Sequence, residues 1–127
     1  MKQFQKFIKS FSFALRGIAI VFREEQNFRF QIAGTLLVFI GMMYFQMRIW
    51  EKSALTLVIV IVLVLELINS AMERFVDVIS PRLHSQAKDV KDVMAGAVLI
   101  ASIGAAVIGV LIFLPYFYPY VWFWRTK

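Results

Sequence analysis

The 127-residue sequence contains no cysteine, so it can form neither disulfide bonds nor a cysteine-ligated metal site. It also lacks the G-x-x-x-x-G-K-[ST] and G-x-G-x-x-G patterns of the common phosphate-binding loops. Charged residues make up only 17% of the chain, whereas soluble domains usually have about 25%. The usual nucleotide-binding loops and a disulfide-stapled fold are therefore excluded.

Apolar residues are abundant instead, at 61%, with a mean hydropathy of +0.74. The chain is long enough for about one domain, and a small domain keeps much of its surface in water. So much apolar surface indicates lipid as the solvent, and an all-α membrane protein. The net charge of +6 then favours anionic lipid headgroups, and not nucleic acid, as the partner.

Three apolar runs, at residues 32–47, 54–68 and 93–114, predict three transmembrane helices. A span needs about 20 mostly apolar residues, which the first two runs reach only with flanking residues. We predict spans over about residues 29–48, 53–79 and 90–114, in a single domain of residues 1–127. Pro81 is expected to end the second helix.

Residues 2–23 predict an amphipathic helix. At about 100° per residue, one face collects apolar side chains (Phe4, Phe7, Ile8, Phe11, Leu15, Ile18, Phe22) and the other basic ones (Lys2, Lys6, Lys9, Arg16, Arg23). This pattern favours a helix lying in the membrane surface. The alternative is an amphipathic helix of a soluble core, but no soluble domain follows it.

The distribution of basic residues predicts the orientation. Ten of the 14 Lys and Arg lie before the first span or between the second and third, and four lie in the first connection or the tail. By the positive-inside rule the N-terminus is cytoplasmic and the C-terminus outside, where Tyr116–Trp124 would form an interfacial aromatic belt. A row of small residues (Ala97, Ala101, Ala105, Gly109) predicts close helix packing, and so thin a bundle favours a homo-oligomer.

Glu66, Asn69, Glu73 and Asp77 fall on one narrow face of the second span, which we call the acidic stripe. Glu66 lies inside the apolar run, where a carboxylate costs about 2.5–3.5 kcal/mol and usually marks function. Closely placed carboxylates repel each other unless a cation or a proton lies between them. The stripe is therefore expected to be a functional site at the cytoplasmic ends of the helices.

Further charged residues are predicted at the same level: Glu24, Glu25, Lys91 and Asp92. Carboxylates and substrate phosphates suit Mg²⁺, a lysine can neutralise a transferring phosphoryl group, and a carboxylate in apolar surroundings suits a general base. These parts favour phosphoryl transfer from a metal–nucleotide to a hydroxyl at the membrane surface. Two alternatives stay open: a small proton or cation transporter, and a structural or regulatory subunit.

The run Glu66-Leu67-Ile68-Asn69-Ser70-Ala71-Met72-Glu73, followed by Asp77, Lys91-Asp92 and Ala95-Gly96-Ala97-Val98, resembles the signature of the prokaryotic diacylglycerol kinase family, which includes the undecaprenol kinases. The resemblance extends from about Phe7 to Pro115 and includes Glu25, Asn27-Phe28-Arg29 and Ile112-Phe113-Leu114-Pro115. It implies a homotrimeric, multi-pass kinase of the bacterial cytoplasmic membrane, with active sites shared between subunits.

The resemblance also implies residue roles. Glu66 would be the general base, Glu25 and Glu73 would hold the Mg²⁺ of ATP, and the nucleotide and phosphate site would contain Asn69, Asp77, Lys91 and Asp92, assisted by Lys9 and Arg29.

Departures from the family pattern concern the substrate. Members similar to the enterobacterial diacylglycerol kinase tend to have Glu at the position of Gln31 and Ser at that of Ala95. The Phe7–Phe11 start and the Ile112–Pro115 end are more similar to undecaprenol kinases. The expected substrate is undecaprenol, with diacylglycerol as the alternative.

Overall fold

The computed structural model describes residues 1–79 and 84–118, and every regular element in these ranges is a helix. There are four: α1 (Lys2–Glu24), α2 (Gln26–Tyr44), α3 (Ile49–Ile79) and α4 (His84–Phe117). The helix expected over residues 2–23 is α1, and a helix covers most of each predicted span. The ends differ: α2 begins before residue 29 and ends at Tyr44, while α3 and α4 begin four and six residues early.

Within the described ranges, α3 and α4 are the two helices long and apolar enough to cross a membrane. α2 has 19 residues, but its first two turns contain Gln26, Asn27, Arg29 and Gln31. Polar side chains so early in a helix shorten its apolar length. The first predicted span, over about residues 29–48, therefore remains a prediction, because the apolar part of α2 begins only after these turns.

The hydrophobic core lies at the end of the bundle opposite the acidic stripe. Met42, Met47, Leu55 and Ile112 are buried together there, and the Phe45 ring packs against those of Phe113, Tyr116 and Phe117. Gly41 permits this approach of α2 to α4, since a Cβ at that position would be only 2.6 Å from the Phe113 ring. The helices α2, α3 and α4 therefore pack against one another at this end of the bundle.

A buried carboxylate joins α3 to α4 beside this core. Glu51 is 2% exposed, and its Oε2 accepts the backbone N–H of Arg48 at 2.8 Å and the Tyr116 hydroxyl at 2.7 Å. The first bond caps the N-terminus of α3. Pro115 lies inside α4, which continues for two residues beyond it. Pro81, and the predicted aromatic belt from residue 119 onward, lie outside the described residues.

Much of the remaining helix surface is apolar and exposed within the single chain. Examples lie on α2, α3 and α4, including Leu37, Leu57, Ile100 and Leu111. A cleft of about 520 Å³ between α2, α3 and α4 is lined by small residues of α4, among them Ala105 and Gly109 from the predicted small-residue row. Surfaces of this kind need lipid or other helices against them.

We predict that Tyr116→Phe lowers the free energy of unfolding by roughly 1–2 kcal/mol, because buried Glu51 loses a hydrogen bond inside an apolar bundle. The measurement is the unfolding midpoint in mixed detergent micelles. Tyr44→Phe is the matched control, since Tyr44 is 81% exposed. Equal midpoints for the two variants would contradict the prediction.

Candidate active site

The acidic stripe forms a gradient of burial along α3. Glu66 is 1% exposed, Glu73 is half-buried, and the Asp77 side chain is 62% exposed. The gradient arises because α3 runs unbroken from its apolar part into its charged end. Carboxylates are thus presented at successive depths, the innermost within the apolar part of the bundle.

Glu66 is held by an amide from α2. The Nε2 of Gln31 donates to its Oε2 at 3.2 Å. The Oε1 of Gln31 is left buried and without a hydrogen-bond partner among the described residues. Glu25 and Glu73 are the neighbouring charges that repel Glu66. The carboxylate is therefore flanked by one donor and two like charges.

Glu25 reaches this site from the junction of α1 and α2. It is the single residue between the two helices, in an extended conformation, and its N–H bonds to the Val21 carbonyl at 2.8 Å. Val21 before the junction and Phe28 after it are buried, and they anchor it. The Glu25 carboxylate accepts from the Ser70 hydroxyl of α3 at 3.3 Å. Because the chain turns at Glu25, the carboxylate of this residue contacts α3.

Lys91 brings a positive charge from α4. Its Nζ lies 2.5 Å from Oδ1 of Asp77 and 3.8 Å from Oε1 of Glu73. These contacts tie the start of α4 to the outer part of the stripe. An ammonium group at this position lowers the repulsion between the carboxylates and can also attract a phosphate.

Five of the nine predicted site residues lie near one another. Lys91 contacts Glu73 and Asp77, and the Glu25 and Glu73 carboxylates are close enough to repel Glu66. Asn69 is half-buried on the same face of α3, and Asp92 is exposed beside Lys91. Arg29 instead donates to the carbonyls of Phe22 and Arg23 at the end of α1. The Lys9 ammonium lies 5.9 Å from the Phe13 ring centre on α1, so its contact is within its own helix.

Sequence reasoning missed three polar partners of these residues. From the sequence, Gln31 is only a marker of the substrate, and neither Ser70 nor Arg74 has a predicted role. One signal was available, because Ser70 lies four residues after Glu66 and so shares the face of the stripe. The contact between Gln31 and Glu66 joins two helices 35 residues apart and had no local signal.

The donor set suits a hard divalent cation that is shared with a ligand. No group of three or more Asp or Glu side chains in the described part of the chain could hold a metal by itself. Glu25 and Glu73 offer one carboxylate each, and Mg²⁺ commonly binds one or two carboxylates and completes its shell with phosphate oxygens and water. The chemistry of these two carboxylates therefore fits a Mg²⁺ ion whose other ligands are phosphate oxygens and water.

Comparison with known proteins gives concordant matches. The family described as prokaryotic diacylglycerol kinase matches residues 12–113. The chain is 40% identical over 113 residues to undecaprenol kinase of Bacillus subtilis, covering 89% of this chain and 92% of that protein. It is 34% identical over 107 residues to diacylglycerol kinase of Synechocystis (84% of this chain, 61% of that protein) and 28% identical over 104 residues to diacylglycerol kinase of Escherichia coli (82% and 85%).

The burial gradient predicts the order of labelling of single cysteines introduced into this cysteine-free chain. With a membrane-impermeant maleimide, Asp77→Cys should react readily and Glu66→Cys hardly at all, because position 66 is closed to water. The rates are measured by the mass shift with time in micelles, and Lys52→Cys at the other end of α3 is the exposed control. Similar rates at positions 66 and 77 would contradict the burial of Glu66.

Proposed function

The chain belongs to the prokaryotic diacylglycerol kinase family and is a membrane lipid kinase, and we propose that it transfers the γ-phosphoryl group of ATP to undecaprenol. The observation that carries this proposal is the burial of Glu66 at the apolar end of a carboxylate stripe. A lipid alcohol dissolved in the bilayer reaches the protein from the apolar side, whereas a nucleotide arrives from water. Glu66 lies between these two environments.

Glu66 acts as the general base in this proposal. It takes the proton from the lipid hydroxyl as that oxygen attacks the γ-phosphorus, while the bond to the bridging oxygen of ADP breaks. The products are the lipid phosphate and ADP. The hydrogen bond from Gln31 fixes the direction of the carboxylate, which a general base requires.

The outer part of the stripe receives the nucleotide. Glu25 and Glu73 would hold the Mg²⁺, which when bound neutralises phosphate charge during transfer. Lys91 stabilises charge on the transferring group, and Asn69, Asp77 and Asp92 complete the nucleotide site. The assisting roles of Lys9 and Arg29 rest on the family resemblance alone, since their contacts are with Phe13 and with the end of α1.

The comparisons favour undecaprenol over diacylglycerol, and Gln31 is a site residue at which this chain departs from the diacylglycerol kinase pattern. Identity to the Bacillus subtilis undecaprenol kinase is 40%, against 34% and 28% to two diacylglycerol kinases. Gln31 is in direct contact with Glu66, so the residue type at this position acts on the base itself. A glutamate here would replace a hydrogen-bond donor by a repelling charge.

The proposed assembly is a homotrimer in the bacterial cytoplasmic membrane, with three spans per chain, a cytoplasmic N-terminus and active sites shared between subunits. The exposed apolar surfaces of α2, α3 and α4 support this arrangement. A second support is the open side of the site, where Asp77 and Asp92 are exposed in the single chain.

The substrate is tested by phosphate transfer from labelled ATP–Mg²⁺ in detergent micelles, with undecaprenol and diacylglycerol offered in parallel. We expect a higher kcat/KM for undecaprenol. A preference for diacylglycerol would contradict the substrate assignment and leave the kinase assignment intact. No transfer to either lipid, by a folded protein, would contradict the proposed function and favour the transporter or subunit alternatives.

Glu66→Gln and Glu73→Gln are each expected to abolish turnover, because the first removes the base and the second a ligand of the cation. General-base removal typically costs about 10²–10⁴-fold. The measurement is the initial rate of lipid phosphorylation, with circular dichroism and sedimentation showing that helix content and oligomeric state are kept. Glu51→Gln, at the far end of α3, is the matched control and should retain kcat. Near-normal activity of either site variant would refute the role of that residue.

A further inference from the structure

The Ser70 side chain is fully buried and bonds to another element of the fold. Its exposure is 0%, and its hydroxyl donates to Oε1 of Glu25. Hydroxyls in helices commonly donate to the carbonyl four residues earlier on the same helix, as three others do here: Thr35, Ser53 and Thr56. Ser70 instead gives its single proton to a carboxylate at the α1–α2 corner.

Arg74, one turn later on α3, donates a hydrogen bond to Ser70, which leaves the Ser70 hydroxyl as the donor to Glu25. Its Nη2 lies 3.5 Å from the Ser70 Oγ and 2.8 Å from Oε2 of Glu24. Because a guanidinium can only donate, the Ser70 oxygen accepts from Arg74 and keeps its own proton for Glu25. A chain of hydrogen bonds therefore runs from Arg74 through Ser70 to Glu25.

The ion pair between Arg74 and Glu24 has little to contribute to stability, because the two side chains are 42% and 60% exposed. Its geometric effect is larger. Glu25 is the only residue between α1 and α2, so the position of this corner on α3 decides where its carboxylate points. Arg74 holds the corner from the solvent side and Ser70 from the buried side.

We propose that Ser70 and Arg74 are positioning residues that set the affinity of the active site for its divalent cation by holding the Glu25 carboxylate in place. This inference rests on the proposed function, in which Glu25 and Glu73 hold Mg²⁺. Neither Ser70 nor Arg74 is assigned a contact with the lipid or with the transferring phosphoryl group. Residues that orient metal ligands typically change metal affinity or activity by about 10–100-fold when they are removed.

The test measures the Mg²⁺ dependence of the full-length kinase in micelles. Ser70→Ala is expected to raise the Mg²⁺ concentration for half-maximal rate by about tenfold, with kcat at saturating Mg²⁺ and the KM for the lipid unchanged. Arg74→Met should act in the same direction. Arg74→Gln should raise this Mg²⁺ concentration less than Arg74→Met does, since the glutamine amide can still donate to Ser70. Lys52→Met, which removes a positive charge far from the site, is the control.

A second readout does not depend on turnover. Binding of Mn²⁺ together with a non-hydrolysable ATP analogue is followed by electron paramagnetic resonance, and Ser70→Ala should weaken it by about the same tenfold. Wild-type metal dependence in both Ser70→Ala and Arg74→Met would overturn the inference, as would a fall in kcat or a rise in lipid KM with unchanged metal binding. A wild-type chain without kinase activity would refute the proposed function, and Mn²⁺ binding would then decide the role of Ser70 separately.

Discussion

The buried carboxylate of Glu66 is the constraint on which the rest of the site depends. A charge in apolar surroundings needs a partner, and repulsion from the Glu25 and Glu73 carboxylates adds to the cost of burial. The Gln31 amide supplies a donor from α2, and Lys91 supplies a positive charge to the outer carboxylates from α4. The helices α2 and α4 must therefore both pack against the face of α3 that contains the acidic stripe.

The packed hydrophobic core and the candidate active site lie at opposite ends of the bundle. The end remote from the stripe contains the buried methionines, the packed aromatic rings and the bond between Glu51 and Tyr116. The other end contains carboxylates that repel one another and, among the described residues, a buried amide oxygen without a hydrogen-bond partner, and both features are costly. This division lets the site bring like charges together while the remote core holds the helices in register.

The candidate site was predictable to the extent that it lies on one helix. Glu66, Asn69, Glu73 and Asp77 share a face by spacing alone, and the structure keeps them on α3. Glu25 and Lys91 could be assigned to the same level of the membrane, but their attachment to α3 was not derivable from spacing. Arg29 illustrates the limit, because the family pattern associates it with the nucleotide site whereas its guanidinium here caps the end of α1.

The sequence by itself determined the helical character, the apolar composition typical of a membrane protein, the amphipathic helix α1 and the acidic stripe, because each follows from a local period or from composition. The helices α3 and α4 begin four and six residues before the predicted spans, since polar residues can extend a helix beyond its apolar run. Tertiary structure alone decided that Gln31 bonds to Glu66, that Ser70 bonds to Glu25 and that Arg74 pairs with Glu24. These contacts join residues 35 to 50 positions apart, and their formation depends on how the helices pack against one another.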